Sequence, residues 1–130
     1  MRTDTQELLN FLKAELKTLE SGHYTVCERQ PWRARLVFED CEYCPNYGRS
    51  ERTVPCQECP LIGLVPHDHR QEKVPCRFIP LNANGDTLDS LYRSGTQEEL
   101  EAAVGEWLRR TIRHIEAESG LRKTATLSGD

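Results

Sequence analysis

The chain is short of the residues from which large cores are built. Aromatics make up 7% of its 130 residues and hydrophobic residues 37%. A chain of this length suits one domain and can bury a core. That core is lean, so a structural ion is expected to supplement it. Binding such an ion adds on the order of ten kcal/mol in small zinc modules. Long apolar runs are also missing. The longest, Leu61-Ile-Gly-Leu-Val65, is far too short to span a membrane. Basic residues are not in surplus either: the net charge is −4 and the isoelectric point is near 5.6. Residues 24–80 carry eight acids and eight bases, and residues 86–119 carry eight acids and four bases. Neither stretch has the cationic footprint that nucleic acid requires. Met1-Arg-Thr-Asp-Thr5 leads into charged amphipathic sequence and does not read as a secretory signal. A cytoplasmic location is the expectation. In that compartment six cysteines read as thiols or ligands rather than bridges.

What is present in quantity is cysteine in pairs. Cys41-Glu-Tyr-Cys44 and Cys56-Gln-Glu-Cys59 are separated by eleven polar, turn-forming residues. A Cys-x-x-Cys turn brings two sulfurs within reach of one ion. Two such turns complete the tetrahedral shell of structural zinc, with Zn–S bonds of roughly 2.3 Å. Cys41, Cys44, Cys56 and Cys59 are therefore the candidate metal ligands, and zinc is the candidate ion. The gap is shorter than the roughly 15–20 residues of the commonest four-cysteine spacing, so it indicates a metal more strongly than any one zinc fold. Each pair is followed by proline, Pro45 and Pro60, which biases the preceding cysteine towards extended backbone. Cys-Pro adjacency also occurs in cluster-binding runs, which keeps an iron–sulfur cluster as the alternative cofactor. Ordinary buried cysteines and disulfides are the blander readings; tandem pairs inside polar sequence do not resemble core packing.

The sequence also echoes itself. Val54-Pro-Cys56-Gln-Glu-Cys59-Pro60-Leu61 matches Val74-Pro-Cys76-Arg-Phe-Ile79-Pro80-Leu81, and Cys41–Pro45 is a looser copy. Ile79 stands where the other copies have their second cysteine. The last copy is either a degenerate knuckle that packs, the preferred reading, or the source of a ligand, Cys76, that replaces one of the four. Cys27 reads as a small buried hydrophobe. Tyr43 and Tyr47 flank the first knuckle and are expected to shield its sulfurs.

Taken in order, the chain suggests an α+β fold. Asp4 caps a helix over about 5–20, with Leu8, Leu9, Phe11, Leu12, Leu16 and Leu19 at helical spacing and Gly22 as the stop. Residues 24–28 and 33–38 read as a hairpin. Its second strand places Ala34, Leu36 and Phe38 on one face and Arg33, Arg35 and Val37 on the other. The zinc-knuckle insertion follows, and residues 74–81 read as a third strand of a short antiparallel sheet. Asn82–Asp86 is a turn, and residues 88–92 form a short strand or helical turn. Thr96-Gln-Glu-Glu99 is a capping box opening a long C-terminal helix over about 97–118. Its apolar face is Leu100, Ala103, Val104, Trp107, Leu108, Thr111, Ile112 and Ile115, and its exposed half offers a surface for a second copy. Residues 1–119 thus read as one zinc-stabilised domain, with 120–130 as a flexible tail.

His67-Asp68-His69 is the one rival site. In an extended segment both imidazoles point to one side, as in zinc enzymes with an open position. Only His23 and His114 remain to complete such a set, so a solvated loop is the preferred reading. Three functions follow in order of preference. The first is a zinc-binding regulatory or protein-interaction module, recognising a protein partner or a small ligand. The second is a thiol-based redox or metal sensor, with Cys27 or Cys76 as an extra thiol. The third is a small metalloenzyme using the His67/His69 pair. No nucleophile has a base nearby in sequence, so the enzyme reading comes last.

Overall fold

A computed structural model describes residues 2–27, 31–47, 57 and 59–128. Helix α1 spans Arg2–Glu20, α2 spans Leu88–Ser94 and α3 spans Gln97–Ser128. Three 3-10 turns, Pro60–Leu64, His67–His69 and Pro75–Phe78, lie between α1 and α2. Among the described residues there is no strand, so the expected α+β class is corrected to an all-helical architecture.

The helix ends follow from local chemistry. At the end of α1 the Gly22 N–H donates to the Leu19 carbonyl and the His23 N–H to that of Thr18. This is a Schellman closure, and it requires a left-handed residue, supplied by Gly22 at φ 80°. The α2 cap is reciprocal: the Ser90 N–H donates to Thr87 Oγ1 at 3.1 Å and the Thr87 N–H to Ser90 Oγ at 3.0 Å. The same box opens α3, from the Glu99 N–H to Thr96 Oγ1 and from the Thr96 N–H to Glu99 Oε1. Asn82 Oδ1 accepts from the N–H groups of Asn84 and Asp86, which makes the turn before α2.

Helices α1 and α3 pack antiparallel, with Lys13 beside Glu116 at 2.6 Å and Glu20 beside Arg109 at 3.3 Å. Leu9, Phe11 and Leu12 meet Leu100, Val104, Trp107, Leu108 and Ile112 in one core. At 32 residues, α3 is about 48 Å long. It runs on through residues 120–128, beyond the end near 118 that the sequence suggests.

The hairpin expectation fails for an identifiable reason. The Cys27 N–H donates to the Arg33 carbonyl and the Arg35 N–H to that of Tyr24, so the two segments do meet. The alternation then stops. Ala34 is exposed, whereas Arg35, Val37 and Phe38 are all buried. Phe38 is left-handed at φ 68°, which turns the chain instead of extending it. The third strand is lost because Pro75 opens a 3-10 turn and Pro80 has no N–H to give a ladder.

Candidate metal centre

The segment that carries Cys41 and Cys44 is anchored by a buried carboxylate. Glu15 of α1 is fully buried. Its oxygens accept from Arg35 Nε and Nη2, each at 3.3 Å, and from the Phe38 N–H at 3.3 Å. The Tyr24 hydroxyl is a further donor to it. A charge with no access to water is tolerable only when paired and hydrogen-bonded in this way. Burial first, and then the Glu15 charge, push the Tyr24 phenol far above its ordinary range, so it remains a donor.

Beside this knot Arg33 grips Asp40 through two bonds of 2.7 and 2.9 Å. Burial raises the Asp40 carboxyl, but the Arg33 hydrogen bond, the Leu36 N–H and the Arg33 charge outweigh it and hold the group below its usual value. Arg77 holds Glu39 at 2.7 and 3.0 Å, tying the Pro75–Phe78 turn to the same segment. Successive turns then carry the chain forward: the N–H of Cys41 bonds the Phe38 carbonyl, that of Cys44 the Cys41 carbonyl, and that of Tyr47 the Cys44 carbonyl.

The structure divides the predicted ligands. Cys44 and Cys59 border one small, largely apolar cavity of about 20 Å³, together with Cys76, Phe11, Phe38 and Leu61. Cys41 is buried but is not part of that lining. Burial, reinforced by the Glu15 charge and opposed by the Tyr43 N–H, raises its thiol to about 12. Cys56 lies outside the described residues. Among the described residues, no three Cys, His, Asp or Glu side chains are gathered closely enough to hold an ion by themselves. The wall of the cavity is largely apolar, and its sulfurs belong to Cys44, Cys59 and Cys76.

The other candidates are placed as follows. Cys27 is buried, and its side chain hydrogen-bonds Asp40. Tyr43 is 46% exposed, while Tyr47 is half-buried against the core, so of the two only Tyr47 is placed to shield. His67 and His69 sit in a 3-10 turn, where residues two apart point about 240° apart, so the shared face expected of an extended segment is absent. His69 stacks on Phe78 at 4.8 Å and meets Glu72 at 3.0 Å.

Sequence reasoning missed Glu15, Arg35 and Tyr24. A signal for Glu15 was present: it lies four residues after Phe11, three after Leu12 and four before Leu19, on the buried stripe. Comparison with protein-family models, with curated proteins and with solved structures gives no match for this chain. No helix among the described residues is long and apolar enough to cross a membrane.

Proposed function

We propose that the protein is a zinc-binding regulatory or protein-interaction module whose irregular middle is organised by one thiolate-bound ion. The observation that carries this reading is that Cys44 and Cys59, one from each Cys-x-x-Cys pair, border a single water-sized cavity. The ion would be structural: a complete set of four thiolates leaves no open position for a substrate. Zinc would neutralise thiolates that the apolar wall otherwise disfavours, and it would staple the Cys44 turn to the Pro60–Leu64 turn. Of the proposed set, Cys41 and Cys56 rest on the spacing of the sequence.

A partner surface adjoins this site. An open groove along α1 is lined by Lys13, Lys17, His23, Glu42 and Tyr43 among others. Glu42 and Tyr43 are the two residues between Cys41 and Cys44, so loading or losing the ion would reshape one wall of the groove. The lysines favour an acidic protein segment or an anionic small ligand.

Chelation tests the reading. Metal-free full-length protein should melt at a lower temperature than the zinc-loaded form, and zinc should restore the higher value. Identical melting of the two forms, with no zinc taken up, ends it. The redox-sensor reading is second: peroxide should then release zinc at the same rate as thiols disappear. The raised Cys41 thiol makes that residue a poor sensor, because the reactive species is the thiolate.

A further inference from the structure

The chain has two tryptophans. Trp107 is buried in the core, but Trp32 is 78% exposed. In a protein with so few aromatics, a large ring left in water is the informative kind of exposed residue. Val26, also exposed, belongs to the neighbouring segment. The Cys27 N–H donates to the Arg33 carbonyl at 2.9 Å and the Arg35 N–H to the Tyr24 carbonyl at 3.1 Å, which draws the two segments together. We infer that Trp32, with Val26 and Ala34, is a docking surface for a short segment of another protein that carries lysine or arginine beside apolar residues. This rests on the protein-interaction part of the proposed function and not on the ion.

The surface is held from beneath. Arg33 grips Asp40, Arg35 reaches the buried Glu15, and the Cys27 side chain hydrogen-bonds Asp40. Trp32 and Ala34 alternate with the two arginines and are left outside. Their backbone is thus ordered before a partner arrives, which lowers the cost of binding. Tryptophan is also among the residues most enriched at the few positions that dominate binding energy.

Size and charge choose the occupant. An aromatic side chain buries about 150–250 Å², and the patch adds only a valine and an alanine. That falls well short of the roughly 800 Å² per partner of a stable interface, so a short segment fits better than a second copy. The Arg33 and Arg35 charges are already matched by Asp40 and Glu15. Gln97 Nε2 donates to the Tyr24 carbonyl at 3.5 Å, which sets the first turn of α3 against the same segment. That turn carries the exposed Glu98 and Glu99 and lends the border a negative charge. The indole face is the best aromatic platform for a cation, and the net charge of −4 steers a cationic partner inward.

The experiment uses full-length protein and a short fluorescein-labelled peptide of alternating leucine, lysine and arginine, with a control in which glutamate replaces every cation. Anisotropy gives the affinity and tryptophan emission reports the contact. Wild type should bind the cationic peptide with a blue shift in emission and leave the acidic control free. Trp32→Ala, an exposed substitution whose fold is checked by circular dichroism, should weaken binding by more than about 30-fold and abolish the shift. Glu98→Gln should weaken it by about two- to fivefold, an effect that added salt removes. Unchanged binding by Trp32→Ala, equal binding of the acidic control, or no binding by wild type overturns the assignment. So does sedimentation that shows a dimer of wild type dispersed by Trp32→Ala. Zinc content is read on the same samples: a metal-free protein that still binds the peptide contradicts only the ion.

Discussion

Replacing Glu15 by glutamine keeps the side-chain shape and removes its charge. The structure makes the consequence calculable to within a factor of two. Glu15 is 0% exposed and Arg35 is 9% exposed, so Arg35 would be left as a buried cation with no anion. Removing one partner of such a pair costs about 3–5 kcal/mol. Glutamine also brings an N–H₂ group to a place where all four partners are donors, the two Arg35 nitrogens, the Tyr24 hydroxyl and the Phe38 N–H. One side of the amide must therefore face donors. Against a total stability of about 5–15 kcal/mol, this loss is a large share. For a chain of this size it corresponds to a fall in melting temperature of roughly 10–25 °C. Urea unfolding and thermal melts of Glu15→Gln, Arg35→Met and the double variant provide the assay, and the double-mutant cycle should return a coupling of about 2 kcal/mol. A Glu15→Gln protein within about 1 kcal/mol of wild type would refute the buried knot as the anchor of the 33–41 segment.

Four further outcomes are expected. The folded-state thiol of Cys41 lies near 12 against an ordinary 9.0, so its contribution to stability is whole below pH 9 and is lost as pH rises from there towards 12. Cys41→Ala in metal-free protein should flatten that alkaline decline, measured by urea unfolding from pH 7 to 11, whereas an unchanged slope would contradict it. Asp40 acts in the opposite sense. Its depressed carboxyl stabilises fully above its ordinary 3.8, that stabilisation fades as pH falls below this value, and Asp40→Asn should make the acid limb shallower. Gly22→Ala meets no neighbour within 4 Å but keeps φ at 80°, so its cost is conformational, about 1–2 kcal/mol by thermal melt; a neutral result would mean the Schellman closure adds nothing. Replacing His67 and His69 together by alanine should leave bound metal unchanged by elemental analysis, and loss of an ion would revive the histidine site.

The legible parts of the sequence were those governed by neighbours. The leucine spacing and Gly22 define α1, Thr96-Gln-Glu-Glu99 opens α3, and Asn82–Asp86 turns, because caps and turns are satisfied within a few residues. The middle was not legible, since its determinants are distant. The alternation puts Arg35 on a strand face with Arg33 and Val37, yet it is buried off any strand because a carboxylate twenty residues earlier receives it. Residues 74–81 had strand composition, but Pro75 and Pro80 removed the donors a sheet needs. The two histidines seemed to share a face only while their backbone was taken as extended. At the candidate site the paired spacing points to Cys41, Cys44, Cys56 and Cys59, of which Cys44 and Cys59 border one cavity. It could not indicate that Cys76 arrives at the same cavity, since that depends on how the Pro75–Phe78 turn packs.

The most direct measurement is native mass spectrometry of freshly purified full-length protein, paired with elemental analysis. One zinc ion per chain, displaced when the thiols are alkylated under denaturing conditions, is the result expected of a thiolate-bound structural ion. A chain carrying no metal, or one carrying iron and sulfide together, would contradict it.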